Sequence, residues 1–251
     1  MKNPHARLLA ICITLTLFRL SAAASDSEYQ AGVKALAANN YLSALQHLEL
    51  AVSGDPDNPR YASEYRQAII HCKEFDRSLQ FFQKEVSQHP KSANLHLNFG
   101  FAYVDKIPVG GSITQVILAN NALNEFTQAV ELEPSWIAYY TRGVSYLFWP
   151  KIFNRAQLGV SDLLKALEIQ NKGPRRSYYA KTYIALGDGY WKTDQMEKAR
   201  AIWQDGLKQF PDNEQLKSRL ALQGEQLKAA IEDQFDPGKR VNTDLRDLWS
   251  N

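Results

Sequence analysis

Two prolines, Pro56 in "GDPDN" and Pro90 in "SQHPK", stand 34 residues apart, and the residues before them keep the same step. Ala44 pairs with Ser78, Leu48 with Phe82 and Ala35 with Ile69, each pair alike in size or chemistry. A period of this length is the mark of one supersecondary unit repeated along the chain. Both halves of each unit place apolar residues at i, i+3, i+4 and i+7, the pattern of a helix with one buried stripe. The unit is therefore a pair of helices, and the proline after the second helix ends it. One such pair cannot bury its own apolar face. Units must stack, and each contacts mainly its neighbours.

The stretch "ALGDGYWKTDQMEKARAIW" invites a different reading, because its "GDG" could be a turn that presents Asp188 to a phosphate or metal. The register argues against that. Gly187 precedes Ala199 by 12 residues, as Gly32 precedes Ala44, so Gly187 belongs inside a first helix and lets a second helix approach. With Leu186, Gly187, Tyr190, Ala199, Trp203 and Pro211 in place, the chain resembles the tetratricopeptide (TPR) family, whose unit reads L-G-x2-Y, A-x3-F, then P. The other units supply Gly32, Ala44 and Pro56; Phe82 and Pro90; Gly100, Phe126 and Pro134; and Gly143 with Leu163. In the second unit Arg66 replaces the small residue, which predicts helices held further apart.

The resemblance implies an all-α fold, a right-handed α-solenoid of about five units. They are expected at 25–58, 59–92, 93–135, 136–173 and 180–213. The third and fourth carry insertions, and Ser112 is the expected N-cap of a long helix running to Leu132. A capping helix over 214–235 closes a solenoid domain of 25–236. The tail 237–251 follows, either frayed or docked on the solenoid or a partner.

Residues 1–24 read as a secretory signal peptide: Lys2 and Arg7, an apolar run from Leu8 to Phe18, then Ala22-Ala23-Ala24 before Ser25. The expected destination is the bacterial periplasm, with cleavage after Ala24 and no membrane span afterwards. That segment removes Lys2, Arg7 and Arg19 and no acidic residue, leaving 26 basic against 27 acidic side chains. Such a balance offers no net positive field for nucleic acid, and no nucleic-acid partner is expected. Cys72 is the single cysteine after residue 24, so no internal disulfide is expected.

No catalytic motif of an informative kind occurs: no H-E-x-x-H, G-x-S-x-G, Walker A sequence or C-x-x-C-H. His47, His71, His89 and His96 form no i, i+4 pair. The chain is thus expected to be no enzyme, with no metal and no cofactor. Its informative functional signal is the aromatic-rich run "WIAYYTRGVSYLFWPKIF". The resemblance places Phe101, Tyr140, Val144, Asp188 and Trp191 on the face of the first helices, which lines the concave side in this family. A groove of that composition would take partner peptides or protein segments through aromatic anchors. Positions that carry a carboxylate clamp in some family members are Tyr29, Val33, Glu64, Asn94 and Asn98 here, with no positive charge among them. The expected function is a non-catalytic scaffold or adaptor. The alternative that the resemblance raises is an assembly helper in envelope-protein or cytochrome maturation. The oligomeric state is not legible.

Overall fold

The structure is a computed structural model and describes residues 23–249. The signal-peptide segment lies outside these residues except for Ala23 and Ala24. Among the described residues there is no strand. The chain divides into two compact units, one reaching to Ala102 and including Asp244–Arg246, the other spanning Tyr103–Thr243 with Asp247 onward.

The first unit contains α1 (23–37), α2 (Tyr41–Gly54), α3 (Pro59–Cys72), α4 (Phe75–Gln88) and most of α5 (Ala93–Lys106). Local sequence sets these boundaries. Asn40 and Asn58 accept from the backbone N–H of Ser43 and Arg60, satisfying donors that a helix start leaves open. Pro59 sits in the first turn of α3, where its missing N–H costs nothing. The helix stops at Lys73, which takes a left-handed conformation with φ 61°. Leu48, Tyr65, Phe82 and Phe99 are fully buried, and the Phe82 ring lies 5.8 Å from Tyr65 and 6.3 Å from Phe99.

Arg66 does not sit at the surface. It is fully buried, its Nε donates to Asn98 Oδ1 at 2.9 Å, and its guanidinium lies 4.7 Å from the centre of the Phe101 ring. A planar, weakly hydrated cation can be buried where an amide oxygen and an aromatic face receive it. The arginine thus belongs to the core of the first unit.

The second unit holds α6 (Ser112–Leu132), α7 (Trp136–Leu147), α8 (Ala156–Gln170), α9 (Ala180–Lys192) and α10 (Met196–Gln209). Helix α6 has the expected start and length. However, Ser112 is its first residue, with Gly111 at the N-cap and no side-chain cap. At the α7/α8 crossing, a Cβ added to Gly159 would stand 2.7 Å from the Gly143 carbonyl oxygen, so the two backbones touch there. At the α9/α10 crossing, Gly187 makes room for the Trp203 indole, which is fully buried. The bulky residues at this repeat position, Phe126, Leu163 and Trp203, expose nothing.

The capping segment, read as one helix, is two: α11 (Glu214–Ala221) and α12 (Gly224–Gln234). Leu222 and Gln223 are extended, and Gly224 has φ +50°, a conformation open to glycine at little cost. The break turns α12 so that Leu227, Ile231 and Phe235 join the buried cluster of Leu186 and Trp203.

Candidate functional site

In the second unit, the predicted face is built from α7 and α9. Tyr140 is half-buried and stacks on Trp136, with centroids 5.0 Å apart and planes at 10°. Trp136 is held in turn. Its Nε1 donates to Thr182 Oγ1 at 2.9 Å and Gln170 Oε1 at 3.1 Å. Tyr178 and Tyr179, just before α9, bring their rings to 5.0 and 5.2 Å from the indole. Burial pushes the Tyr140 hydroxyl pKa up from its ordinary value, and the nearby Asp188 carboxylate adds to the shift. Val144 and Trp191 are half-buried and pack against the cluster that contains Leu147, Leu186 and Leu227.

Asp188 is the exception among the predicted groove residues of the second unit. Its carboxylate is fully buried and accepts two hydrogen bonds from Arg219 of α11, at 2.8 and 3.0 Å. Complete burial, with each oxygen bound to the guanidinium, closes this carboxylate to a ligand from solvent. Asp188 is a fixture between α9 and the cap, and it drops out of the binding face. Lys192, also on α9, places Nζ 4.8 Å from the centre of the Phe235 ring. Burial lowers its pKa, opposed by the charges of Asp188 and Glu232.

In the first unit, Phe101 is buried, 8% exposed, beneath Arg66, and it too belongs to the core rather than to an open binding face. Four of the five clamp positions, Tyr29, Glu64, Asn94 and Asn98, are used internally. Asn94 donates to the Pro56 carbonyl, Asn98 bonds to Asn94 and accepts from Arg66, and Tyr29 stacks on Tyr61 at 4.9 Å. Glu64 accepts from both nitrogens of the Arg246 fork, at 2.8 and 3.3 Å. In the second unit, Thr243 Oγ1 donates to Asp105 Oδ1 and Arg240 donates to the Asp105 carbonyl at 3.1 Å. Lys181 pairs with Asp247 at 2.6 Å. The tail is therefore docked.

Sequence reasoning missed Trp136, Tyr178 and Tyr179 as one aromatic cluster, although the Tyr178-Tyr179 pair ahead of α9 was a visible signal. Arg219 went unnoticed as a buried residue as well. Arg219 follows Leu216 by three residues, which places it beside the buried stripe. Among the described residues no group of three or more His, Cys, Asp or Glu could hold a metal ion. Among the same residues, no helix is long and apolar enough to cross a membrane.

No family model matches the chain, and neither does any curated protein. Solved structures do match. TTC0263, a TPR protein of Thermus thermophilus, aligns with TM-score 0.55 at 19% identity over 79% of this chain and 97% of its own. A tetratricopeptide repeat protein from Parabacteroides merdae gives 0.53 at 15% identity, covering 84% of this chain and 73% of that one. YrrB, described as a TPR protein with an unusual peptide-binding site, gives 0.53 at 15%, covering 78% and 91%. With paired helices crossing at Gly143 and Gly187 and with Phe82, Phe126 and Trp203 filling the crossings, this chain has the tetratricopeptide-repeat fold.

Proposed function

We propose that this protein is a non-catalytic scaffold that binds an extended segment of a partner protein on the faces of its first helices. The observation that carries this reading is the row of half-buried apolar and aromatic side chains on α7 and α9, with Tyr140 held by Trp136 and Trp191 set against the core. Rings fixed by their neighbours lose little conformational freedom on binding, so more of their contact energy goes into affinity. YrrB, with the same fold and a peptide-binding site, is consistent with this use of the fold.

A photocrosslinking residue in place of Trp191, introduced into the full chain in its native host, is expected to label a small, reproducible set of partners. For a partner so identified, Tyr140→Ala with Trp191→Ala should weaken binding by about tenfold or more, equal to about 1.4 kcal/mol. Both rings pack against the core, so the melting temperature will fall as well, and binding is to be measured well below it. Undiminished affinity in the folded double variant would remove the aromatic face from the site.

We also propose that the protein is exported. The support is the charged, apolar, small-residue order of residues 1–24. Sequencing the N-terminus of protein recovered from the periplasm should give Ser25 as the first residue. A mature chain that begins at Met1 rejects the proposal.

A further inference from the structure

Both insertions that interrupt the 34-residue period lie in the second unit, and they meet there. In the first two turns of α6, Ile113 exposes 81% of its surface, and Val116 and Ile117 expose half or more. With Asn120 these residues fall at i, i+3, i+4 and i+7, so they form one stripe of the helix. The other insertion forms a short 3-10 turn, Lys151–Phe153, in which Ile152 is 88% exposed and Phe153 more than half. Arg155 joins the two. It donates to Asn120 Oδ1 at 3.1 Å and lies 3.6 Å from the centre of a Trp149 ring, and Trp149 meets Phe153 edge to face at 5.6 Å.

Single apolar residues at a surface need no explanation, but a cluster on two joined insertions does. Side chains as open as Ile113 and Ile152 stand out from the surface rather than line a groove. They suit a yielding medium better than a rigid protein face. Charge narrows the choice further. Residues 106–124 and 143–161 contain Lys106, Lys151 and Arg155 and no acidic residue. Asp194, from outside these stretches, pairs with Lys151 at 2.5 Å, but both side chains are well exposed, and such a pair exchanges readily for another anion. A second copy meeting this patch across a two-fold axis would set its cations against themselves. Lipid phosphates match them instead, with acyl chains just beneath for the aliphatic tips.

We propose that the two insertions form a peripheral attachment site for an anionic bilayer surface. The tips of Ile113, Val116, Ile117, Ile152 and Phe153 enter the headgroup boundary, and the neighbouring cations meet lipid phosphates. The site lies on a membrane and does not span it. From Ala122 onward α6 belongs to the core through Ala122, Phe126 and Ala129, so only its first turns can rest on lipid. Attachment through so few side chains is reversible. It uses none of the side chains of the α7 and α9 face, so it stands or falls apart from the peptide-binding reading.

The test is co-sedimentation with lipid vesicles, using the protein as recovered from its host with its N-terminus sequenced, so that parent and variants differ only at the substituted residues. Vesicles of phosphatidylcholine mixed with phosphatidylglycerol should take up the parent about tenfold or more better than vesicles of phosphatidylcholine alone. Ile113→Asp with Ile152→Asp should lower that partition by about tenfold or more. Both side chains already face water, and an aspartate in the first turn of α6 suits the helix dipole, so the melting temperature should hold. Lys151→Glu should weaken uptake by the anionic vesicles alone. No uptake of the parent, equal uptake by both kinds of vesicle, or undiminished uptake of the folded double variant overturns the proposal. So does sedimentation in solution that shows a dimer for the parent and a monomer for the double variant, which gives the patch to a second copy. Folded protein carrying Tyr140→Ala and Trp191→Ala should bind vesicles as the parent does, and a loss there refutes the separation of the two surfaces.

Discussion

Replacing Arg219 with alanine is expected to lower the unfolding free energy by about 3–5 kcal/mol, measured by urea denaturation at neutral pH. Asp188 and Arg219 expose 1% and 4% of their side chains and share two hydrogen bonds, so the guanidinium is what makes the carboxylate tolerable there. Burial already pushes the Asp188 pKa above its ordinary value, with Arg219 the main opposing influence. Removing Arg219 leaves the burial effect less opposed. The folded-state pKa of Asp188 in the variant then lies above its unfolded value. Above the folded value, folding must bury a charge that is free in the unfolded chain, and the full penalty applies. Below the unfolded value, the carboxyl is neutral in both states and this part of the penalty is gone. The loss caused by Arg219→Ala should therefore shrink as pH falls through the raised pKa towards the usual aspartate range. Asp188→Leu combined with Arg219→Met should recover most of the stability, since a buried pair replaced as a whole leaves no orphan charge. A variant lacking Arg219 that unfolds at the parent's urea midpoint would mean the pair is solvated.

This ion pair also marks where the sequence stops being informative. The period of 34 was legible because each unit repeats the same local packing problem: glycine or alanine at a crossing, a bulky side chain beside it, proline after it. Those positions need no knowledge of distant residues, and Gly143, Gly187, Phe82 and Trp203 lie where the register puts them. Asp188 and Arg219 are 31 residues apart, and Arg66 and Asn98 are 32 apart. Their burial depends on which polar group the neighbouring helix offers, and a charged residue read alone is assigned to water. The break at Gly224 was missed because the apolar spacing of Leu216, Leu220, Leu227 and Ile231 runs through it without a visible gap. The docked tail was open in the sequence for another reason. Thr243 bonds to a residue 138 positions earlier and Arg246 to one 182 positions earlier, and a short extended pattern of three or four residues carries no record of either.

Trp203→Ala should cost about 3–5 kcal/mol, the range for removing a large aromatic from a core. The indole is fully buried, and its Nε1 donates to the Ile184 carbonyl at 3.3 Å. It also fills the space that Gly187 leaves. A Cβ at residue 187 would lie 2.1 Å from the indole nitrogen, closer than atoms can stand, so the glycine and the tryptophan are two halves of one contact. Gly187→Leu alone should cost about 1–3 kcal/mol or more, because the ring must leave its place and closely packed neighbours must follow. The two changes are not additive. In the Trp203→Ala background the leucine at 187 enters the cavity, so the double variant should be more stable than the sum of the single losses by about 0.5–3 kcal/mol. Thermal and urea denaturation of the four proteins closes the cycle. Independent losses would separate Gly187 from Trp203 and place the α9/α10 crossing at another pair of residues.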